Sequence, residues 1–524
     1  MLSESTTIHW HGVKQEGTPY MDGVPYVSQC PIHPGETFRY KFKALDSGTF
    51  FWHSHIGSQR TDGLYGSVIV HPSFEQDVHR DLYDFDNHHM IISDWIHFDS
   101  NSGFVKEYYD RIGINPETII VNGKGRLNPF TRNNTLYYTP TELFAVDQGK
   151  KYRFRLINAG ADDCPIRLSF DQHTMKVLSL DAKDIHPVVV DAIDIWPGER
   201  VDFVIDANQN PDTYWVRLRG FGLCARGPTT GAFQVARLWY KSTTLHDPSS
   251  PIGYNITGAT NQTRVLNPYQ TGTEASPFTN INVPLLTSME ANDESLAPTP
   301  DEQIYISFDS EQIDNYDFHR KNLYGYNQTS TSRAIGTMQL NHITLKLPTV
   351  PLMSQWSQID QSNICNSTTI NRSQCLRESC ACTHVLKVKL GSIVELVLID
   401  EGKNTFVSNH PLHLHGHFFR VVATEKLEGV VSPERVQNLD QEGKIKRRLD
   451  GAPIKDTIKA PTGGFTIIRF HANNPGYWFF HCHFEQHAIT GMALVFKVGE
   501  HEDFPPIPQG FPTCGNYEPP VWSK

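Results

Sequence analysis

The sequence predicts an all-β protein made of three similar units, because one pattern of residues occurs three times along the chain. In each copy a glycine begins a strand of alternating aromatic and polar residues, and a turn rich in Gly, Pro, Asn and Asp leads into a second aromatic-rich strand. Short strands separated by such turns are typical of β-sandwiches and β-barrels. An aromatic residue follows each glycine by seventeen positions, in the pairs Gly35 and Trp52, Gly198 and Trp215, and Gly463 and Phe480.

Chain length and the repeat together predict the domain organisation. A chain of 524 residues is too long for one ordinary hydrophobic core, and three repeats imply three domains. The segment between the second and third repeats is polar and rich in turn formers, as linkers are. We therefore predict domains at 1–72, 84–241 and 300–500, a linker at 242–299 and a C-terminal tail at 501–524.

Composition and charge narrow the class of protein. A mean hydropathy of −0.40 and 39% hydrophobic residues are typical of a soluble globular protein. No run approaches the roughly 18 apolar residues that a membrane-spanning helix needs. The net charge of −11, from 46 basic and 57 acidic residues, disfavours a nucleic-acid partner, because phosphates attract a basic surface.

The cysteines and the glycosylation sequons favour a secreted, glycosylated protein. Eight of the nine cysteines lie outside the histidine-rich stretch HCHFEQHAITGM, and their spacing leaves the connectivity of any disulfide bonds open. Four of the eight fall in 355–383, which we interpret as a disulfide-stapled surface insertion in the third domain. The first residues, MLSESTTIHWHG, have no signal-peptide pattern. The six Asn-x-Ser/Thr sequons begin at Asn133, Asn255, Asn261, Asn327, Asn366 and Asn371.

Histidines occur in His-x-His pairs more often than chance predicts. A shuffled chain of this composition contains roughly one such pair, whereas this chain contains five. Residues i and i+2 of a strand share a face, so each pair presents two imidazoles side by side, as a metal site requires. A single buried histidine is more often a core residue than a ligand, but the first and third domains hold two pairs each, one in the repeat and one upstream of it. The second repeat has Val216 and Leu218 in place of such a pair. The four pairs are His9 and His11, His53 and His55, His413 and His415, and His481 and His483.

Cys482 indicates which metal the pattern favours. One thiolate, two imidazoles and a distant thioether form the ligand set of blue-copper electron-transfer sites. Cys482 is followed by His487 and Met492, with His410 upstream, although Met492 taken alone would be a core residue. Structural zinc prefers four strong nitrogen and sulfur ligands. Because adjacent strand residues point to opposite faces, Cys482 can face one metal site while its two neighbouring histidines face another.

Four motifs, HWHG, FWHSH, HPLHLHGH and HCHFEQHAITGM in this order, resemble the signature of the multicopper oxidases. The resemblance covers essentially the whole chain and implies three cupredoxin-like Greek-key β-sandwich domains with four copper ions: one of type 1, one of type 2 and a type 3 pair. The stretches GTPYMDGVPYVSQCPI, SGTFFWHSHIGSQRTDGLYG and PPIPQGFPTCG look most like laccases of the animal, arthropod type. Several strands normally precede the first motif in this family, so we expect the first domain to be N-terminally incomplete.

The resemblance also implies a role for each ligand residue. The type 1 copper matches His410, Cys482 and His487, with Met492 as the axial ligand. The type 2 copper matches His9 and His413. The type 3 pair matches His11, His53, His55, His415, His481 and His483. His417 has no ligand role in the family, and we interpret it as a structural residue.

Two carboxylates and two disulfide bonds are also implied by the resemblance. Asp22 and Glu485 match acidic positions that the family uses beside the cluster, where a carboxylate can relay protons. Taken alone, Asp22 would be a turn residue and Glu485 a solvated one. The expected disulfide pairs are Cys30 with Cys514 and Cys164 with Cys224, with the other four cysteines paired inside the insertion.

The resemblance implies a secreted laccase, in which a small phenolic reductant gives single electrons to the type 1 copper and O2 is reduced to water at the trinuclear cluster. Ascorbate oxidase or ferroxidase activity is the alternative within the superfamily. Asp400 and Glu401 lie shortly before His410, but we interpret them as part of a solvated loop. A non-enzymatic copper store or electron shuttle is disfavoured, because a shuttle needs only the Cys482 site and a store favours thiols over ordered imidazoles.

Overall fold

The computed structural model of the protein describes most of the chain between residues 4 and 515. The described ranges are 4–104, 115–127, 130–132, 135–226, 231–250, 252, 263–269, 279–313, 335–370, 375, 380–402 and 408–515. None of the helices in these ranges has the length and apolar character needed to cross a membrane. Five of the predicted sequons lie outside them, at Asn133, Asn255, Asn261, Asn327 and Asn371.

The first part of the chain forms a three-stranded antiparallel sheet. Its strands, in the order in which they pair, are β1 (Ile8–His11), β2 (Gly48–Ser54) and β3 (Tyr65–Val70). β1 alternates half-exposed Ile8 and Trp10 with buried His9 and His11. His9 lies opposite His53 of β2, and opposite residues of an antiparallel pair share a face. The sheet therefore collects histidines from two motifs on its inner face.

The middle of the chain forms two sheets that pack face to face. The strands are β4 (Phe85–Trp95), β5 (Thr118–Val121), β6 (Phe130–Arg132), β7 (Thr135–Tyr137), β8 (Leu143–Val146), β9 (Lys151–Asn158), β10 (Ile166–Phe170), β11 (Met175–Leu180), β12 (Lys183–Val190), β13 (Ala192–Ile195), β14 (Arg200–Asp206), β15 (Thr213–Gly220), β16 (Phe233–Tyr240), β17 (Arg264–Leu266) and β18 (Thr279–Ile281). One sheet has the order β12-β11-β14-β9-β4-β5 and the other β18-β17-β13-β10-β15-β16-β8, while β6 and β7 form a hairpin.

Aromatic side chains from both middle sheets fill the space between them. The rings of Phe154 and Phe203 belong to one sheet and contact Phe170 of the other, at centroid distances of 5.4 and 5.8 Å. Both β17 and β18 come from 242–299, which the sequence analysis interpreted as a linker. This segment therefore also extends the second middle sheet.

The last part of the chain forms a second pair of sheets. The strands are β19 (Glu302–Ile313), β20 (Ile335–Leu340), β21 (Thr344–Leu345), β22 (Ile364–Cys365), β23 (Ala381–Val388), β24 (Ile393–Asp400), β25 (His410–Leu414), β26 (Phe419–Lys426), β27 (Ile454–Lys455), β28 (Thr457–Ala460), β29 (Gly464–His471), β30 (Gly476–Cys482) and β31 (Ala493–Val498). One sheet has the order β20-β19-β24-β29-β26-β27, and the other β21-β23-β31-β30-β25-β28 with β22 beside β23.

Helices are few and short in the part of the chain that the structure describes, which confirms the all-β prediction. The α-helices with described bounds are α1 (Leu352–Gln355), α2 (Pro433–Gln441) and α3 (Glu485–Ile489), and residues 100–104 are also helical. Single 3-10 turns occur at Pro19–Met21, Arg80–Leu82, Gly222–Arg226, Val283–Leu285, Glu294–Leu296, Trp356–Gln358, Gln361–Asn363 and His501–Asp503. Of these elements, α3 matters most for function because it directly follows β30.

β30 is buried on both faces, and its residues alternate between two hydrophobic clusters. Trp478, Phe480 and Cys482 pack in the core between the C-terminal sheets. Tyr477 and Phe479 pack in a second cluster on the other side of the strand. The period of two in an extended strand thus places Cys482 in the sandwich core and the residues on either side of it toward the opposite face.

Four disulfide bonds connect the eight cysteines other than Cys482. The two expected pairs, Cys30 with Cys514 and Cys164 with Cys224, are both present. The other four cysteines pair within the predicted insertion, as Cys365 with Cys382 and Cys375 with Cys380. Cys482 is free and buried, so it remains available as a ligand.

Lys459 of β28 is buried where the middle and C-terminal sheets meet. Its Nζ donates a hydrogen bond to the main-chain oxygen of Pro268 and lies 4.3 Å from the ring centre of Trp196. Burial lowers the pKa of Lys459 to about 7, although Asp194 and Glu199 attract its charge. The unfolded chain keeps the ordinary lysine pKa of about 10.4. Between these two values, the unfolded chain binds more protons than the folded chain.

Lys459→Met should therefore change how stability depends on pH. As the pH rises from about 7 to about 10, the free energy of unfolding of the wild type should increase relative to that of the variant, because the unfolded wild type loses its extra proton. Urea unfolding at several pH values measures this difference, and Lys444→Met, at a lysine that is 64% exposed, is the control. A wild-type-to-variant difference that is constant across this range would contradict the prediction.

Candidate metal centre

The four His-x-His pairs meet in one buried region between the first sheet and the C-terminal sheets. Their ring nitrogens form three trios whose members lie within 4.8 Å of one another. The trios are His9, His11 and His413; His11, His53 and His483; and His55, His415 and His481. The structure thus brings together all eight histidines that the sequence analysis predicted for the cluster.

Strand register explains how residues distant in sequence reach one place. In the C-terminal sheet, His413 of β25 lies opposite His481 of β30, so these two side chains share a face. The rings from the two parts of the chain then stack on each other. His9 stacks on His415 at 3.9 Å between ring centroids, and His11 stacks on His413 at 3.8 Å.

Main-chain oxygens hold several of these rings in a fixed orientation. In each case the ring Nδ1 donates a hydrogen bond to a main-chain oxygen. The pairs are His9 with Asp22 at 2.7 Å, His413 with Asp456 at 2.9 Å, His53 with Ser54 at 2.8 Å and His481 with Cys482 at 2.8 Å. A hydrogen bond at Nδ1 leaves Nε2 as the free lone pair, which is the arrangement of metal-binding histidines.

The remaining ring nitrogens behave like ligand atoms. Among the described residues, no hydrogen-bond partner reaches Nε2 of His9, His53, His55 or His413, although all four atoms are buried. Other nitrogens point at each other, with Nε2 of His415 lying 3.3 Å from Nε2 of His481. Leaving buried polar atoms unpaired is costly, so this arrangement fits bound metal ions, and imidazole is a ligand that copper prefers.

Cys482 and three other predicted ligands lie together on the opposite side of β30. Cys482 Sγ is 3.7 Å from Nδ1 of His487, which α3 carries. The rings of His487 and His410 are 5.1 Å apart. Met492 is fully buried, and its main-chain oxygen accepts a hydrogen bond from the amide of Cys482. His487 therefore lies close to both Cys482 and His410.

Known proteins share this combination of fold and site. Sequence profiles described as multicopper oxidase match residues 1–75, 86–241 and 346–502. Laccase-4 of Trametes villosa is 31% identical to this chain over 503 residues, which cover 95% of this chain and 79% of the relative. The chain belongs to the multicopper oxidase family.

Other relatives agree with this family assignment. L-ascorbate oxidase of Cucurbita pepo var. melopepo is 29% identical over 551 residues, 98% of this chain and 88% of the relative. The crystal structure of a laccase from Botrytis aclada is 25% identical, with a TM-score of 0.70 over 96% of this chain and 79% of that chain. Fet3p, described as a multicopper oxidase that functions in iron import, has a TM-score of 0.71 at 23% identity over 97% and 84% of the chains, which supports the fold alone.

These comparisons confirm the predicted cupredoxin-like fold and the prediction of a laccase-like oxidoreductase. Multicopper oxidases bind four copper ions, and the histidine trios together with Cys482 fit that cofactor. The laccases of Trametes villosa and Botrytis aclada named above are fungal. Copper supplies the redox chemistry of the family, and the protein supplies buried, oriented ligands.

In this multicopper oxidase, burial favours the neutral, metal-binding form of several cluster histidines. Burial lowers the pKa of His11, His53, His415, His481 and His483 well below the usual value. The pKa of His55 is lowered in the same way, to about 3. Burial also raises the pKa of the Cys482 thiol, so this thiol needs a cation beside it to become a thiolate.

Asp400 and Glu401 are buried, so the interpretation of these two residues as part of a solvated loop was wrong. Both were expected in a solvated loop, but they are 2% and 4% exposed. Asp400 Oδ2 lies 2.9 Å from Nδ1 of His410, so it orients a predicted type 1 ligand. The loop interpretation failed because the contacts that bury these residues come from distant parts of the chain: Asp400 ends β24 between β19 and β29, and Glu401 lies 3.3 Å from His342.

Both predicted proton-relay carboxylates lie beside the cluster. Asp22 is fully buried, and its Oδ2 is 2.9 Å from Nδ1 of His415. Glu485 accepts hydrogen bonds from the amide and hydroxyl of Thr61. Burial raises the pKa of Glu485, although Arg60 opposes the shift. A cavity of about 300 Å³ is lined by Glu485 together with cluster histidines, so it connects this carboxylate with the metal centre.

Three polar residues near the cluster were missed by the sequence analysis. Arg60 Nη2 donates to the main-chain oxygen of His483 at 2.7 Å. Arg200 forms a bidentate ion pair with Asp456, which also contacts the cluster. Arg200 lies two residues after the repeat glycine at 198, and this position was the one available signal in the sequence.

The structural interpretation of His417 agrees with its place beside Phe470 and Trp478.

Copper should stabilise the metal-free protein strongly. A ligand that binds only the folded state raises the free energy of unfolding, by about 4 kcal/mol when it is present at a thousand times its dissociation constant. Thermal unfolding of metal-free protein should therefore shift upward when copper is added. Magnesium, which prefers oxygen ligands, is the control and should have little effect. Equal shifts with both ions, or none with copper, would show that the imidazoles do not form a copper site.

Proposed function

We propose that the protein oxidises small phenolic or diphenolic compounds by single-electron steps at the Cys482 site and reduces O2 to water at the histidine cluster. One observation carries the proposal: Cys482 faces the sandwich core, where His487 lies, while His481 and His483 face the other imidazoles. The two sites therefore share one tripeptide. Bound copper supplies one-electron redox chemistry at the first site and dioxygen chemistry at the second.

The trios support a specific assignment of ligands. We assign the type 3 pair to His11, His53 and His483 on one side and His55, His415 and His481 on the other, because these are two of the observed trios. We assign the type 2 ion to His9 and His413, which share the third trio with His11. The type 1 ion is assigned to His410, Cys482 and His487, with Met492 as its axial ligand.

Asp22 and Glu485 are the proposed proton donors and acceptors of the cluster. Reduction of O2 to water consumes protons, and a general acid must lie within hydrogen-bond reach of the reacting group or one water away. Asp22 contacts His415 and Glu485 lines the cavity beside the histidines. Thr61 holds the Glu485 carboxylate in a single position, which keeps it directed into this region.

The surface beside α3 supports a phenolic reductant. His487 is half-buried, so a small aromatic ring can approach this type 1 ligand from the surface. The alternative of ferrous oxidation has one observation in its favour, because Asp162 and Asp163 are buried near α3 and Asp162 accepts a hydrogen bond from Gln486. Carboxylates are ligands that ferrous iron accepts. Ascorbate is a further candidate through the plant relative.

Oxygen uptake with three reductants distinguishes these possibilities. Copper-loaded protein is given a catechol, ascorbate or ferrous iron in parallel, with metal-free protein as the control for auto-oxidation, and kcat/KM is compared. We expect the catechol to give the highest value. If ferrous iron gives a value higher by orders of magnitude, the phenol-oxidase assignment is wrong although the copper sites stand. If no reductant drives O2 uptake, the oxidase function itself is wrong.

Cys482→Ser should remove both the blue colour and turnover. Serine lacks the thiolate that links the type 1 ion to the backbone between His481 and His483, so electrons lose their route to the cluster. Visible absorption, oxygen uptake and bound copper per chain measure the effect, and we expect the histidine cluster to keep its copper. A colourless variant that still consumes O2 with a catechol at the wild-type rate would refute the proposed route.

The biological setting follows from the same features. We propose that the protein works in an oxidising, extracellular environment, which four disulfide bonds and the half-buried sequon at Asn366 support. We retain the predicted domains at 1–72, 84–241 and 300–500, but we extend the middle one to include β17 and β18, which belong to one of its sheets. The quoted N-terminal and C-terminal motifs support a laccase of the animal type, with diphenols as substrates.

A further inference from the structure

The middle sheets supply none of the histidines in the described trios, yet one of their arginines reaches the cluster. Arg200 begins β14 and is fully buried. Its Nη1 and Nη2 donate to both carboxylate oxygens of Asp456 at 2.6 and 2.5 Å. Its Nε donates to the main-chain oxygen of Thr49 in β2 at 3.0 Å. One guanidinium therefore links the middle sheets to the first sheet and to the C-terminal sheets.

Asp456, the partner of Arg200, also contacts two cluster histidines. Its Oδ1 lies 3.2 Å from Nε2 of His11, and its main-chain oxygen accepts a hydrogen bond from Nδ1 of His413 at 2.9 Å. These two rings stack on each other at 3.8 Å. Holding Nε2 of His11 leaves its Nδ1 directed at His483, whose Nε2 is 3.1 Å away. Asp456 therefore helps to direct Nδ1 of His11 toward the cluster, together with Thr457, whose Oγ1 lies 3.1 Å from the same Nε2.

Two glycines show how closely the middle sheets pack against the cluster. A Cβ at Gly12, directly after His11, would lie 2.3 Å from Nη2 of Arg200. A Cβ at Gly198 would lie 2.9 Å from the ring of His483. Both glycines have positive φ, at +88° and +90°, where any side chain is also strained. The middle sheets thus contact the cluster at two points, through the Arg200 guanidinium and through the backbone at residue 198.

Arg200 makes two further hydrogen bonds, with Asp181 and Gly198. Its amide donates to Asp181 Oδ1 at 2.9 Å, and Nη1 donates to the main-chain oxygen of Gly198 at 3.0 Å. Asp181 in turn accepts hydrogen bonds from the amides of Asp456 and Thr457. The network therefore fixes the start of β28, the strand beside β25, from two directions.

We infer that Arg200 is a positioning residue through which the middle sheets, without contributing a ligand, make the histidine cluster competent to retain copper. It acts through Asp456 on His11 and His413 and leaves the Cys482 site independent of it. The inference rests on the proposed assignment of these histidines as copper ligands. A planar guanidinium pairs both carboxylate oxygens at once, which an ammonium cannot do, so Arg200→Lys should weaken the cluster while keeping the charge.

The test compares copper retention in wild type, Arg200→Lys and a matched control. Arg217 is also buried in the middle sheets and forms a bidentate pair, with Asp171 at 2.7 and 2.8 Å, so Arg217→Lys removes similar contacts elsewhere. Each copper-loaded protein is dialysed against a chelator. Copper per chain, the visible absorption of the Cys482 site and the electron paramagnetic resonance signal of the type 2 ion are then measured.

We expect wild type and Arg217→Lys to retain about four copper ions, and Arg200→Lys to approach one, with its Cys482 absorption kept and its type 2 signal lost. Four retained ions with an unchanged type 2 signal in Arg200→Lys would overturn the inference. So would parallel loss of both sites, or equal loss in Arg217→Lys, because each would indicate a general effect of stability. A wild type that itself lacks four ions or the visible absorption would instead count against the proposed function.

A second variant covers the case in which Arg200→Lys does not fold. Asp456→Asn keeps the volume and one acceptor oxygen but removes the charge that Arg200 pairs with, so it weakens the same contact from the other side while Asp181 remains near the guanidinium. We expect it to lose cluster copper faster than wild type during dialysis while its Cys482 absorption stays unchanged. Retention at the wild-type rate would overturn the inference.

Discussion

The whole site depends on the alternation of side chains along a single extended strand. In β30 and the residue after it, Cys482 points into the sandwich core while His481 and His483 point to the other face. A helix would separate these three residues by about 100° per step and could not give two opposed faces. Because the strand is central in its sheet and buried on both sides, each face can hold a metal site away from water. The remaining ligands are placed relative to this strand.

Most of the fold was predictable because it depends on local patterns that repeat. Turn residues and alternating aromatic residues predicted the sheets, and the three copies predicted their grouping. The strands β17 and β18 were missed because they are three residues each and lie in a polar segment, and they pair with a sheet formed by residues far from them in sequence. Pairing of this kind has no local signal, so composition alone favoured a linker at 242–299.

The ligands were predictable for a different reason, because histidine pairs at a spacing of two carry both chemistry and geometry. The residues around them were not. Asp400, Arg200 and Asp456 are ordinary polar residues in sequence, and their roles come from tertiary contacts. Asp400 contacts His410, and Arg200 pairs with Asp456. The energy of burying such groups depends on the partner that satisfies them. The sequence therefore predicted that the middle sheets hold no copper ligands, but it did not predict that one of their arginines contacts a residue of the cluster.

Anomalous X-ray diffraction at the copper absorption edge, from crystals of the copper-loaded protein, tests the central claim most directly. The account predicts one peak beside the sulfur of Cys482 and three peaks among the eight paired histidines, on the opposite side of the same strand. A single peak at Cys482 in protein that nevertheless consumes O2, or peaks among the histidines with none near the sulfur, would contradict it.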